Sequence, residues 1–526
     1  MKKTAFINGV VYTADRNKPE ADAFLVEDGS FSFVGKGSDL PEYDEAVDLN
    51  GKCVVPGFVD SHCHILSGIY QASMEMLEVD KETRPDELGG VLKKLIPDDP
   101  GSNDKAVAVT GIDLTVGSFS SDNIDCAISD RPVGVFSYDG HALLLNSRAM
   151  EILGIERKDE NPGLIKEVPA IMPCMELFNN SAGKDSPEVL KRFIDSYSSF
   201  GYTTVFDAMT TDNGDSDILP LLHAMDEENA LNMRISTSFG YHGEDIIPAS
   251  EAVDIMQDYR KRYSSENVFH DTLKLIPDGT IEEHSALLRI PYSDEKGGVG
   301  FTSMSFEDMK KASDLAAKEG FSVHIHAIGD EAVRQSLEVL TSLGEIKGTK
   351  TIAHNQLYTD EDIESIVAAG DIFFQTTPVW MEGDRFTLKC LGEKRYIRQF
   401  PVGTMVKRGV SVSFGSDVAF EEKAVNPFIG MYYACARGNK ELMKDACLPP
   451  ESEAIGRREA LLAYTINGAA QLGLSHITGS ITAGKSADFA VIDRDIINCS
   501  LEELKEARVI KTHFARMTYG KRQSKS

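Results

Sequence analysis

Residues 56–66 read PGFVDSHCHIL, a short run that opens on Pro-Gly and closes on two histidines one residue apart. Residues i and i+2 of a strand face the same side, so His62 and His64 point one way and Cys63 the other. Two imidazoles on one face can clamp one metal ion. If this strand opens a barrel, the chain beyond it must supply more short strands with helices between them.

It does. From Gly57 onward, short β-branched runs alternate with longer helical patterns, the signature of parallel βα units. Eight strands are predicted: GFVDSH (57–62), TTVFDA (203–208), RISTSF (234–239), TLKLI (272–276), FSVHIH (321–326), TIAH (351–354), DIFFQT (371–376) and SVSFGSD (411–417). Eight such strands with intervening helices make an α/β fold of the TIM-barrel type. The helix predicted over SFEDMKKASDLAAKEG (305–320) opens with Ser and an acidic first turn and ends on Gly, as capping physics prefers. The first two strands lie about 140 residues apart, where a βα unit needs a few tens. An insertion at about residues 75–195 is therefore expected. It carries two further strand candidates, KAVAVTGIDL (105–114) and PVGVFSYDG (132–140), and could roof the face where βα loops emerge. Ahead of the barrel, AFINGVVYTA, AFLVEDGSFSFVG and AVDLNGKCVVP are separated by Gly, Asn and Asp turns and predict a small antiparallel sheet.

Composition bounds the partners. With 54 Lys and Arg against 83 Asp and Glu, the formal net charge of −29 repels phosphate backbones and anionic membrane surfaces. Neither nucleic acid nor membrane is expected as a partner. Asn8 and Asp15 interrupt MKKTAFINGVVYTAD before it forms a secretory h-region, so the cytoplasm is the expected location. No stretch supplies the roughly 18 uninterrupted apolar residues a spanning helix needs. The eight cysteines form no C-x-x-C pair and read as reduced, mostly buried thiols.

The remaining strand ends decide the chemistry. Lys274 lies on the fourth, His326 ends the fifth, His354 ends the sixth and Asp417 ends the eighth. Barrels place catalytic groups at these C-terminal ends. Six convergent ligand-type residues, His62, His64, Lys274, His326, His354 and Asp417, predict a site for a divalent metal, zinc in the first instance. His324, two residues before His326, is assigned to the layer below, and Asp330 to a helix cap. Trp380, just beyond strand seven, is a candidate wall for an apolar substrate.

The stretches PGFVDSHCH, DGHALLLNS (139–147), LKLIPDGT (273–280), HAIGD (326–330), IAHNQL (352–357), FGSDVAF (414–420) and GSITAGKSADFAVID resemble, in order, amidohydrolase family 3 over nearly the whole chain. The resemblance implies a hydrolase of carbon–nitrogen bonds other than peptide bonds, acting on an N-acyl or N-formyl amine or related small amide through metal-activated water. It implies that His62, His64 and Asp417 bind a buried metal and His326 and His354 a more exposed one. Lys274 is implied as a carboxylated bridge between them; an unmodified lysine beside a single metal is the alternative. It also implies proton transfer by Asp417 and substrate contact by His141. A mononuclear deaminase of an aminated heterocycle is the enzymatic rival, and a silent binding scaffold is the other. A homodimer is left open.

GSITAGKS (479–486) satisfies the phosphate-loop pattern, but ADFAVID after it reads as a strand, where a phosphate loop should open a helix. No nucleotide is expected there. The resemblance implies that this turn returns the chain to the N-terminal β layers, so that residues 1–56 and 471–526 form a composite β-sandwich domain around a barrel of residues 57–470.

Overall fold

The computed structural model describes residues 2–65, 76–96, 105–115, 117–137, 142–157, 162–166, 171, 174–175, 177–178, 187–212, 218–294, 298–383, 385–417, 422–439 and 448–515. Contacts divide the chain into two compact units, Met1–Leu66 with Lys191–Ser526, and Ser67–Leu190.

In the first unit an eight-stranded sheet runs in chain order, each strand parallel to the next. Its strands are Phe58–Cys63, Tyr202–Asp212, Arg234–Tyr241, Val268–Leu275, Ser322–Ala327, Lys350–His354, Ile372–Thr376 and Val412–Phe414. These are the eight strands the sequence predicts. Strand eight returns to strand one: the Ser61 hydroxyl donates to the Phe414 carbonyl at 2.7 Å, and Asp417 N donates to the His62 carbonyl at 2.8 Å. The sheet thereby closes into a TIM barrel. Strands one, three, six and eight are buried at every residue, as expected when barrel side chains cover one face and helices the other.

The helix predicted near 305–320 runs Phe306–Lys318, and the Ser305 side chain accepts from Asp308 N to cap it. Gly320 past its end takes φ +77°, a conformation that favours glycine. The cap assigned to Asp330 needs correction. Gly329 holds the capping position and Asp330 is the first helical residue, its carboxylate accepting instead from Arg289 N at 3.0 Å.

The N-terminal strands also depart from expectation, since they form two mixed sheets instead of one antiparallel sheet. Lys3–Ile7 pairs antiparallel with Ala23–Glu27 but parallel with Glu45–Asp48, and Val10–Tyr12 pairs parallel with Cys53–Pro56. Hairpin spacing reveals neighbours in sequence, whereas these parallel partners are distant. The C-terminal strand Phe489–Ile492 joins the second sheet antiparallel to Cys53–Pro56. Phe6, Phe24, Phe31, Val54, Phe489 and Val491 share one apolar cluster between the sheets. Residues 479–486 form the turn into that strand. Gly484 N donates to the Phe31 carbonyl and Ser486 N to the Ile477 carbonyl.

The second unit holds a five-stranded sheet in which Val107–Ile112 and Val133–Ser137 lie side by side, with Leu88, Leu92, Val109, Val133, Val135 and Leu144 in its core. Among the described residues, no helix is long and apolar enough to cross a membrane.

Candidate metal centre

The barrel's closing seam builds the site. Strand eight ends at Phe414, and three residues later Asp417 adopts φ +62°, which turns its carboxylate across the end of strand one. Asp60 ties the two strands together by accepting from His62 N at 3.1 Å and Ser416 N at 3.0 Å. Burial pushes the Asp60 carboxyl up to about 7 against those hydrogen bonds.

His62 Nε2 lies 3.3 Å and His64 Nε2 3.4 Å from the same oxygen, Asp417 Oδ1. These three ligand atoms all fall within 4.8 Å of one another. His62 Nε2 and Asp417 Oδ1 are buried without a hydrogen bond among the described residues. Buried polar atoms seldom stay unsatisfied, and a divalent cation between an imidazole and a carboxylate would satisfy both. The electrostatics fit the same occupant. Burial, with Lys274 nearby, holds the His62 imidazolium down to about 3, so the ring is neutral and able to ligate. Burial alone would raise Asp417, but His62 and His64 hold its carboxyl well below the usual range.

The other nitrogen of His62 is also fixed, since Nδ1 lies 2.9 Å from His324 Nε2. His324, assigned from the sequence to the layer below, is thus in direct contact with the candidate ligand His62. The ring of His354 stands 4.6 Å from that of His62 and 4.4 Å from that of His326, and Trp380 stacks on it at 5.3 Å. His326 Nε2 faces the Gly279 carbonyl at 3.3 Å and Asp278 Oδ1 at 3.4 Å. Lys274 is 1% exposed and lies beside His324 in the sheet register. Burial drives its ammonium down to about 7, with Asp417 pulling the other way, and no described residue forms an ion pair with it.

Of the predicted residues, His62, His64 and Asp417 therefore form one three-ligand group, with His354, His326, Lys274 and Trp380 around it. His141 lies outside the described residues. Asp60 was not predicted, although it precedes His62 by two residues and shares its face by the same alternation that pairs the histidines. Asp278 carried no periodic signal.

A profile of the Amidohydrolase family matches residues 45–519. The chain belongs to the amidohydrolase family. Among curated relatives, this amidohydrolase is 26% identical over 442 residues to the exoenzymes regulatory protein AepA of Pectobacterium carotovorum subsp. carotovorum, covering 78% of this chain and 93% of that one. It is also 26% identical over 563 residues to the N-substituted formamide deformylase of Arthrobacter pascens, covering 98% and 97%. The crystal structure of an uncharacterized metal-dependent hydrolase from Pyrococcus horikoshii OT3 shares the fold, with a TM-score of 0.74 at 22% identity over 95% of this chain and 99% of that one. The amidohydrolase is an enzyme, a hydrolase acting on carbon–nitrogen bonds.

Proposed function

We propose that this amidohydrolase cleaves a non-peptide amide, an N-acyl or N-formyl amine, at a centre in which His62, His64 and Asp417 hold one zinc ion and His326 and His354 a second, with carboxylated Lys274 between them. The observation that carries the reading is the convergence of the His62 and His64 imidazoles on one Asp417 oxygen beside a buried amine that forms no ion pair with any described residue. Bound there, the metal supplies Lewis acidity toward the substrate carbonyl and lowers the pKa of water.

The chain's own groups do the rest. Asp417 takes a proton from the attacking water and returns it to the leaving nitrogen, work suited to a carboxylate at the ligand centre. Lys274, neutral in part near pH 7, can add carbon dioxide at Nζ with loss of one proton, giving an anion where a bare ammonium would repel the metals. Trp380, stacked on His354, offers an apolar wall for the acyl side of the substrate. His141 is proposed as a further substrate contact. The similarity to a formamide deformylase over 98% of the chain favours an N-formyl amine. The domain plan we propose keeps the composite β domain at 1–56 and 471–526, the barrel at 57–470 and the insertion at about 75–195.

The test is metal analysis of protein purified without chelators, with turnover of a panel of N-formyl and N-acyl amines. About two zinc ions per chain are expected, and Asp417→Asn should lower kcat by roughly 10²–10⁴-fold if its proton transfer is lost. One ion per chain with ammonia released from aminated heterocycles would replace this reading with a deaminase. A metal-loaded protein that turns over neither class would favour a binding scaffold.

A further inference from the structure

A second group of ligand-type side chains lies in the loops above the barrel strands. His284 belongs to the segment after strand four, Asp294 lies farther along it, and Cys390 belongs to the helix Arg385–Leu391 after strand seven. Three donor atoms meet: His284 Nε2 is 2.7 Å from Asp294 Oδ2, and Cys390 Sγ is 3.9 Å from that nitrogen and 3.6 Å from that oxygen. We propose that these three residues form a second, separate metal site of the zinc class, which staples the loop after strand four to the helix after strand seven.

Geometry distinguishes this from a nucleophilic triad. A Cys–His–acid relay needs the thiol at one imidazole nitrogen and the carboxylate at the other. Here both converge on Nε2, while Nδ1 faces the Glu282 carbonyl at 3.3 Å. That is how a ligating histidine is held: one nitrogen on a carbonyl, the other presented to the ion. Cys390 is also 0% exposed, so a substrate could not reach its sulfur. A tetrahedral ion with Zn–N and Zn–O near 2.05 Å and Zn–S near 2.3 Å requires N···O of about 3.3 Å and N···S and O···S of about 3.6 Å. The O···S separation already matches, N···S is within a few tenths, and only the N···O pair has to open.

Charge and rigidity agree. A thiolate and a carboxylate cancel a divalent cation, so the filled site is neutral despite its burial, and loading displaces the thiol proton. Softer sulfur and nitrogen donors favour zinc over magnesium or calcium. The surroundings are braced: the Tyr292 ring packs on His284 at 4.5 Å, Ser293 N donates to the Cys390 carbonyl at 2.8 Å, and Ser293 Oγ donates to the Leu391 carbonyl at 2.9 Å. His284 holds φ +57°, a conformation that costs free energy in a residue with a Cβ and often occurs at ligand clamps.

Cobalt(II) exchanged into the full chain supplies a test independent of activity. The barrel group contains no sulfur, and Cys63 Sγ is engaged with the Phe206 carbonyl. A thiolate-to-cobalt charge-transfer band in the near ultraviolet therefore reports the proposed site. The band should appear in the native protein, persist in a His62→Ala/His64→Ala double variant, and vanish in Cys390→Ser with loss of about one metal ion per chain. Should Cys390→Ser fail to fold, His284→Gln must shift or abolish the band. Absence of the band from fully cobalt-loaded native protein, or its survival in Cys390→Ser, overturns the proposal.

Discussion

His62 can offer Nε2 to a cation only if its proton resides on Nδ1, and His324, 2.9 Å from Nδ1, is placed to accept that proton's hydrogen bond. Removing such a support typically lowers metal affinity by roughly 10–100-fold while the ligands remain. His324→Ala should show that loss in a chelator-competition titration with an unchanged far-ultraviolet circular dichroism spectrum. His324→Gln, whose side-chain oxygen can accept the same bond, should recover part of it. Equal affinity in all three proteins would reduce His324 to packing. At this scale the sequence was informative wherever a polar residue fell on the inward side of a strand end. Alternation placed His62 with His64, and His326 with His324 one layer down. It could not show that His324 reaches across the barrel to strand one, because a contact between strands one and five depends on barrel closure, not spacing. Nor did it give the bend at Asp417, whose φ of +62° aims the carboxylate.

Strand one and strand eight meet where Gly415 passes the backbone of His62. A Cβ on Gly415 would stand 2.6 Å from both His62 N and His62 O and 2.9 Å from Asp60 Oδ1. None of these can retreat easily, because the two backbone atoms belong to a buried strand and the carboxylate bridges His62 N and Ser416 N. Gly415→Ala should therefore force the seam open, at a cost of about 1–3 kcal/mol in urea unfolding and with weakened metal binding. Unchanged stability would mean that the seam is looser than its contacts indicate. The eight barrel strands were legible because each is a short β-branched run bounded by helical patterns and turn residues. The N-terminal layers were less so. Their strands were visible, but the parallel pairing of Lys3–Ile7 with Glu45–Asp48 comes from a partner some forty residues away, which local turn chemistry does not encode.

For the molecule as a whole, one histidine remote from the ligand group sets part of the acid limit. Burial lowers His270 from 6.5 to about 4, so the unfolded chain takes up its proton more readily than the folded one. The stability this group contributes is fully present above pH 6.5 and is lost as pH falls toward 4, and about 2 kcal/mol of it should disappear between pH 7 and pH 5. His270→Gln should show a correspondingly flatter decline in urea midpoint over that range; parallel declines would remove His270 as the cause. The join between barrel and β layers follows from the turn that resembles a phosphate loop. It ends on Ser486, and two residues farther on the Asp488 carboxylate accepts from Arg234 on barrel strand three, from Thr478 Oγ1 at 2.8 Å, from Ser486 Oγ at 3.0 Å and from Ala515 N at 3.0 Å. Arg234 is 2% exposed, gives a second bond to Ser486 Oγ at 2.9 Å and lies over the Phe514 ring at 5.0 Å. A buried ion pair of this kind adds little relative to an apolar replacement, but losing one partner strands a charge at a cost of about 3–5 kcal/mol. Asp488→Ala should therefore lower the unfolding midpoint sharply without changing the ligand set in the barrel. An Arg234→Met/Asp488→Leu double variant should recover much of the loss. If the single variant is as stable as the native protein, or the double variant is no better than the single, this pair does not hold the β layers to the barrel.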